Sequence, residues 1–344
     1  MNDVALLIPS LEPTSRLVKL VKELKEKGFE KIVIVNDGSD ITYDKYFDAC
    51  KKEGCHIISY RINKGKGHAL KKGIEYIKKN YKDIFGIITL DSDGQHTPKD
   101  VAKIYRAFQK DDSKMVLGVR NVMSDEAPLR SRFGNTFSAW YFFMQTGVKC
   151  SDTQTGLRAI PVEFFDLALK TEGDRFEYEM HFLLKMGKMK KIREIKTATI
   201  YENNNKGSHF KTFRDSYLIY KDFFKYSIVA LISAFLDLFT FYIFTIILQG
   251  STMYIALSTI IARLLSGIFN FSLNRNYIFK SKNNLTREIS LYTMLFLINM
   301  LCSSFFVTLL STINPTLLEC KIIVDFTLFI IGFFVQKKFI FRNE

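Results

Sequence analysis

The sequence has little with which to build a disulfide framework or a thiolate metal site. Its five cysteines, at positions 50, 55, 150, 302 and 320, are odd in number, and none falls in a CxxC or Cys/His ligand spacing. Neither a cross-linked secreted scaffold nor a structural zinc site is expected, and the soluble part reads as a protein of a reducing cytoplasm. The opening, MNDVALLIPS, has no basic leader and no apolar run long enough for export, so no signal peptide is legible. Acid is scarce beside base: 35 Asp and Glu face 49 Lys and Arg, a net charge of +14, which calls for an anionic partner. What is plentiful is apolar and aromatic surface, 47% hydrophobic with 32 Phe and 16 Tyr, and this excludes disordered and collagen-like classes. The length of 344 residues suits about two domains at a prior of ~150 residues each.

The apolar residues are unevenly spread. Up to about residue 205, short Val/Ile-rich runs (5–10, 31–37, 56–61, 85–92, 114–120) alternate with Lys/Glu-rich stretches at helical spacing. Strand then helix, repeated, predicts a parallel α/β sheet covered on both faces. Ligands of such sheets bind beyond the carboxyl ends of the strands, where Asp37 and Asp91 stand. After Tyr226 the texture changes: residues 226–248 carry one charge, enough apolar length to cross a hydrocarbon core ~30 Å thick. Further spans are expected at about 253–273, 290–313 and 322–341. Lys and Arg crowd the loop after the second span and the C-terminus, while the other two loops have few, so both chain ends and the catalytic part are expected on the cytoplasmic side of a multi-pass membrane protein. The anionic partner is thus a membrane surface or a phosphate-bearing substrate, not nucleic acid.

The membrane half also repeats itself. A shift of 62 residues lays NRNYIFK (274–280) on QKKFIFR (336–342), sets Asp237 against Asn299 and Arg263 against Asp325, and makes four helices read as two tandem pairs. Asp237, Arg263 and Asp325 are charges inside apolar segments, expected to face a bundle interior as an ion pair or polar path. Just before the first span, residues 206–225 interleave Phe and Tyr with Lys206, His209, Lys211, Arg214, Lys221 and Lys225, the pattern of an interfacial helix or of one packed on the soluble part.

The sharpest chemical signal is LDSDGQH, residues 90–96, at the end of a predicted strand. Two carboxylates at i and i+2 can share a hard cation such as Mg²⁺ or Mn²⁺, which takes oxygen ligands and keeps places free for substrate phosphates. Asp91 and Asp93 are the candidate metal ligands with Gln95 beside them; an ordinary turn capping the helix from Thr97-Pro98 is the alternative. NDGSD (36–40) ends the second strand, where Asp37 can accept hydrogen bonds from a base or ribose. NKGKGHA (63–69) follows the third, with glycines for close approach and Lys64 and Lys66 for charge. Neither a dinucleotide fingerprint nor a GxxxxGK[ST] loop is present. The histidines at 56, 68, 96 and 181 read as structural or solvated.

With IPSLEP at the first strand, the order IPS, NDGS, KGKG, DSDGQ resembles a family 2 glycosyltransferase with the Rossmann-like GT-A fold, over roughly residues 3–225. APLRSRFGN (127–135) and CSDTQTGLRAIP (150–161) are similar to segments that polyprenyl-phosphate glycosyltransferases, including dolichyl-phosphate mannose synthases, use for the lipid phosphate and the donor diphosphate. The resemblance implies nucleotide contacts at Pro9, Glu12, Asp37, Lys66 and Asp91, a metal at Asp91, Asp93 and Gln95, and an acceptor phosphate at Arg120, Arg130, Ser131 and Arg132. It implies Arg158 at the donor diphosphate and a catalytic group of Asp91, Asp93, Asp152 and Arg158. Asp152 is either a base or an orienting group, since a phosphate acceptor with a second pKa of ~6 is already a nucleophile at neutral pH. Many relatives carry Asn-Glu where this chain has Glu12-Pro13.

The four-span layout over about 222–344 resembles the GtrA-like membrane family, with movement of lipid-linked sugars, or anchoring and homo-oligomer formation, as its two options. The domains expected are a GT-A catalytic domain at 1–205, an amphipathic juxtamembrane segment at 206–225 and a GtrA-like domain at 226–344. The activity implied is inverting, metal-dependent transfer of a hexose from UDP-glucose, UDP-N-acetylglucosamine or UDP-galactose to undecaprenyl or another polyprenyl phosphate, for the cell envelope. GDP-mannose is the alternative donor. A processive polysaccharide synthase would carry QxxRW, yet the single Trp, Trp140, sits in SAWYF. A transporter with an inactive enzyme domain would not need Asp37, Asp91 and Asp93.

Overall fold

The computed structural model describes residue 1 and residues 3–121, 129–198, 212–249, 253–312 and 317–341. The chain divides into two compact units, Met1–Ile219 and Tyr220–Glu344.

The first unit begins with β1 (Val4–Ser10), buried along its whole length, and α1 (Ser15–Glu26), whose first turn is capped by Thr14 and whose Leu17, Leu20, Val21 and Leu24 form one buried stripe. β2 (Ile32–Asp37), α2 (Asp44–Lys52), β3 (His56–Tyr60) and α3 (Lys66–Asn80) follow. Next come β4 (Gly86–Thr89) and α4 (Pro98–Lys110), where Thr97 caps and Pro98 opens the helix as the sequence predicts. β5 (Met115–Val119), α5 (Leu129–Thr146), β6 (Arg158–Pro161), α6 (Phe165–Leu169), α7 (Glu177–Lys188) and β7 (Ile192–Lys196) complete it.

The five predicted strands are present, and the sheet has two more, in the order β3-β2-β1-β4-β6-β5-β7. The expected all-parallel sheet is corrected to a mixed one, because β6 runs antiparallel to both β4 and β5. The chain reverses through residues 150–157 directly beside the strand ends, and that return strand brings the CSDTQTG segment against β4. Alternating residues of β1 feed two cores: Val4, Leu6 and Ile8 pack with α1, α2 and α4, while Ala5 and Leu7 pack with α3, α6 and α7. Helices cover both faces of the sheet, and Asp37 and Asp91 lie at or just beyond the carboxyl ends of β2 and β4.

The described residues of the second unit form helices and the turns that join them. α8 (Thr212–Ile247) loses helical geometry at Tyr220, and α9 (Tyr254–Leu273), α10 (Leu285–Ser311) and α11 (Leu317–Val335) follow. Arg214–Ile247 and Leu285–Leu310 are long and apolar enough to cross a membrane, with mean hydropathies of 2.1 and 2.0. Leu231, Phe235, Leu238, Leu301 and Phe305 are all more than 60% exposed, the reverse of a water-soluble bundle. Lys206, His209 and Lys211 of the expected interfacial segment lie outside the described residues.

The internal repeat is visible in three dimensions. α9 and α11 both close with a π turn, Asn274–Ile278 and Gln336–Ile340, 62 residues apart. The Phe279 amide donates to the Asn274 carbonyl (2.9 Å) and the Phe341 amide to that of Gln336 (2.8 Å). Equivalent residues also meet each other: Asn274 Nδ2 donates to Gln336 Oε1 (3.0 Å), and the Phe279 and Phe341 rings stack at 5.3 Å. Such self-contacts occur only near the axis relating two copies. Each π turn also ties to the first helix of the other pair, Arg275 to Glu288 on α10 and Lys337 to Asp222 on α8.

The three intramembrane charges do not form one path. Asp237 accepts from Ser266 (2.9 Å) and lies 3.6 Å from Arg263, whereas Asp325 takes Ser303 (2.7 Å) and Lys321.

Candidate active site

Three loops are knit together at the carboxyl ends of β1, β2 and β3. The Glu12 amide donates to Ser39 Oγ (2.8 Å), and the Ser39 amide to Asn36 Oδ1 (2.9 Å). Asp37, 4% exposed, accepts the amides of Lys64 (2.9 Å) and Gly65 (2.9 Å) and the Tyr60 hydroxyl (2.8 Å). Burial and Asp37 together push the Tyr60 phenol upward, so it remains a donor. Gly65 has a φ of +107°, and a Cβ there would stand 2.5 Å from the Asp174 carbonyl; only glycine lets the KGKG loop lie against the start of α7. Asp37 thus shapes the loop that presents Lys66.

Lys66, the first residue of α3, reaches the end of β4. Its Nζ is 2.7 Å from Asp91 Oδ1 and 2.7 Å from Glu179 Oε2 on α7. The other Asp91 oxygen lies 3.3 Å from Nε2 of His96, itself 4% exposed. Asp93 stands in the same turn and accepts the Gln95 amide (3.0 Å). Gly156 makes room for Asp91, since a Cβ at that position would lie 2.2 Å from Asp91 Oδ2.

The two aspartates titrate apart. Burial alone would raise Asp91, but the Lys66 ammonium and His96 hold its carboxyl well below the usual range. Asp93 is raised, first by burial and then by the charge of Asp91. Lys66 is penalised by burial, yet its two carboxylates hold it above the ordinary lysine value, so the ammonium persists. Asp91 is thus paired with a cation already present, Lys66, whereas Asp93 is held by a backbone amide. Among the described residues no group of three or more His, Cys, Asp or Glu is assembled around a metal position.

Other predicted residues have different surroundings. Arg158 is 3% exposed; Nε donates to the Thr155 carbonyl (2.8 Å), Nη1 to that of Glu179 (2.7 Å) and Nη2 to that of Thr153 (3.2 Å). It braces the 153–158 turn against α7, and contact with a donor diphosphate would require those bonds to be given up. Asp152, fully buried, takes Arg120 Nε at 2.8 Å and the amides of Arg120 and Gln154. A side chain so enclosed is an orienting group for Arg120 in this conformation. Pro9 is buried within β1, and Glu12 is exposed with a left-handed φ of 50°, a conformation that Asn or Gly enters at lower cost. Arg132 lies in the first turns of α5; the side chains of Arg130 and Ser131 lie outside the described residues.

Glu179 and His96 were not singled out by the sequence as site residues. His96 directly follows DSDGQ, so its closeness to Asp91 had a local signal. Glu179 had none, because it lies 113 positions after Lys66 and reaches it only through the packing of α7 on α3.

Comparisons with known proteins agree with this architecture. The glycosyl transferase family 2 model matches residues 6–162, and the GtrA/DPMS transmembrane domain matches residues 225–341. An uncharacterized protein of Methanocaldococcus jannaschii is 32% identical over 205 residues, which are 58% of this chain and 82% of that protein. The UDP-N-acetylglucosamine–dolichyl-phosphate N-acetylglucosaminyltransferase of Methanococcus voltae is 29% identical over 218 residues, 58% of this chain and 86% of that enzyme. Among solved structures, glucosyl-3-phosphoglycerate synthase from Mycobacterium tuberculosis, with Mn²⁺, UDP-glucose and glycerol 3-phosphate, aligns with a TM-score of 0.46 at 13% identity, covering 58% of this chain and 72% of that one. A mixed α/β sheet whose parallel-strand ends gather paired aspartates, on a chain continuing into apolar helices of this type, makes the protein a GT-A glycosyltransferase of family 2 with a GtrA/DPMS-type transmembrane domain.

Proposed function

We propose that the protein transfers a hexose from a nucleotide sugar to a polyprenyl phosphate, releasing a nucleoside diphosphate. The observation that carries this reading is Lys66 on Asp91 with Asp93 beside it, at the strand ends of a chain that also carries an apolar transmembrane domain. The dolichyl-phosphate acceptor named for the Methanococcus voltae relative supports the lipid phosphate, and its UDP-N-acetylglucosamine makes that donor the first to test. UDP-glucose, UDP-galactose and GDP-mannose follow.

A divalent Mg²⁺ or Mn²⁺ fits Asp93 and Asp91: the two carboxylates of one turn supply the hard oxygen ligands that such ions take. Such an ion supplies charge neutralisation for the departing diphosphate. The chain's own residues do the rest. Asp37 holds the Lys64–Gly65 backbone where a nucleotide can lie, and Lys66 places an ammonium at the diphosphate. Arg120, aimed by Asp152, and Arg130, Ser131 and Arg132 receive the acceptor phosphate. One phosphate oxygen forms the new bond to the anomeric carbon as the bond to the donor's diphosphate breaks, with inversion. Little proton abstraction is needed, which suits an enclosed Asp152.

Four spans with both chain ends cytoplasmic complete the reading, supported by the basic loop that holds Arg275, Lys280 and Lys282. The test uses full-length protein in detergent with Mn²⁺, polyprenyl phosphate and each labelled donor in parallel. Label entering the organic phase from one donor, and lost on adding EDTA, is the expected result. Well-folded protein that yields no lipid-linked label from any donor overturns the reading.

A further inference from the structure

Lys66 occupies a position at odds with the local field. It opens α3 without an acidic residue in that helix's first turn, where the dipole disfavours a cation. Two carboxylates from other elements hold it there, Asp91 and Glu179, each at 2.7 Å.

The two partners are not anchored alike. Glu179 stands on α7 with the Arg158 guanidinium 3.8 Å away, and Arg158 is fixed by three carbonyls, so this carboxylate is secured from behind. Asp91 follows β4 in a turn that also carries Asp93, its second oxygen has His96 at 3.3 Å, and its carboxylate packs so closely on Gly156 that a Cβ there would stand 2.2 Å from Oδ2. Of the two carboxylates, Asp91 shares its turn with Asp93, where a cation would be held, so Lys66–Asp91 is the contact that a cation would displace while Lys66 stays on Glu179.

We infer that Lys66 is a built-in competitor of the divalent cation at Asp91, that Glu179 is the positioning residue that retains Lys66 when it leaves, and that cation and nucleotide therefore bind cooperatively. This rests on the function proposed above and deepens it. An ammonium and a divalent ion repel one another across a single carboxylate. A diphosphate resolves the conflict: its oxygens take Lys66 on one side and the cation on the other, so each ligand strengthens the other, and the coupling is reciprocal.

The experiment measures Mn²⁺ binding to the full-length protein in detergent, from the electron paramagnetic resonance signal of free Mn²⁺, with and without UDP or GDP and corrected for Mn²⁺ held by the nucleotide itself. Wild type is expected to bind Mn²⁺ about tenfold or more tightly when the matching nucleotide is present, within the usual range of coupling between sites. Lys66→Met removes the competitor, so it binds Mn²⁺ alone more tightly than wild type and loses most of the nucleotide's effect. Glu179→Gln leaves Lys66 to Asp91 alone and weakens Mn²⁺ binding without nucleotide. A purely structural role would weaken binding in both variants under both conditions.

A folded Lys66→Met protein that binds Mn²⁺ alone no better than wild type overturns the inference. If that variant does not fold, Glu179→Gln decides, and unchanged or tighter Mn²⁺ binding overturns it. Wild type that binds Mn²⁺ equally with and without nucleotide also overturns it, yet leaves the proposed activity standing. Wild type that binds no Mn²⁺ under any condition removes the metal role itself and this inference with it.

Discussion

Asn274 donates to Gln336 at 3.0 Å, and the two residues are 62 positions apart at the start of matching π turns. Around this bond Asn274 also reaches Asn270, which takes the Tyr292 hydroxyl (2.8 Å) and donates to Ser233 (3.0 Å), while Gln336 donates to Tyr226 (3.0 Å). One polar node thus ties all four apolar helices at their common axis. Among lipid-soluble surfaces such bonds give orientation that apolar packing alone does not.

Replacing Asn274 by Leu is accordingly expected to cost about 1–2 kcal/mol, the scale of interhelical polar contacts in membranes. Gln336→Leu should cost a similar amount, and the double variant should lose less than the sum of the two, because both remove the same bond. Thermal unfolding of the four proteins in one detergent measures this. Strict additivity would mean that the two side chains act independently.

The node was half legible in advance. Matching NRNYIFK with QKKFIFR reveals the repeat, since a fixed shift survives in one dimension; the π turns and the Asn274–Gln336 contact need the two copies in register in space. The catalytic half divides in the same way. Asp37, Asp91 and Lys66 fall at ends of Val/Ile runs, and period and turn composition locate those ends. β6 and β7 are short and lie among residues read as ligand motifs or left unread, so the antiparallel return was missed. Arg158 has a motif position whose fold context, three carbonyls and burial, no spacing rule conveys.

Gly156→Ala is predicted to disable the site while sparing the fold. The new methyl would meet Asp91 Oδ2 at 2.2 Å and Cγ at 2.6 Å, so the carboxylate must swing away from Lys66 or the 153–158 turn must move. Displacements near 1 Å at reacting groups cost on the order of 10²-fold in rate. Turnover should fall by that order while the far-ultraviolet circular dichroism spectrum is retained; wild-type turnover would show that Asp91 need not hold this position.

Asp37→Asn replaces a carboxylate that receives two backbone amides and a phenol. Charge-assisted bonds of this kind contribute about 1.5–3 kcal/mol, so stability should drop within that range. Because Asp37 shapes the Lys64–Gly65 loop, the KM for the nucleotide sugar should rise more than kcat falls. An unchanged KM would separate the loop from the nucleotide.

Arg120→Ala leaves a fully buried Asp152 without its guanidinium. Losing one partner of a buried pair costs about 3–5 kcal/mol, and the remaining amides of residues 120 and 154 place the expected loss at the lower end. Asp152→Asn should be milder, since the charge left without its partner is then the Arg120 guanidinium, which water reaches, and not a fully buried carboxylate. If Asp152 instead acted as a base, Asp152→Asn would abolish turnover with little change in unfolding temperature, and comparing the two variants by activity and melting distinguishes the roles.

His56 provides a pH signature of the fold. Its ring stacks on Tyr76 with centroids 3.9 Å apart, and its pKa is lowered, first by burial and then by Lys51. The folded state therefore resists protonation, whereas the unfolded chain takes up the proton near the ordinary histidine value of ~6.5. Between that value and the lower folded one the unfolded state binds more protons, so this contribution is whole above ~6.5 and declines as the pH falls through the window. His68 is shifted in the same direction, by burial and Lys64, and adds to the slope. His56→Phe, which keeps an aromatic ring for the stack, should flatten the decline in unfolding temperature between pH 7 and 5 without removing it. An identical slope in the variant would mean that the stacked imidazole titrates alike in the folded and unfolded chains.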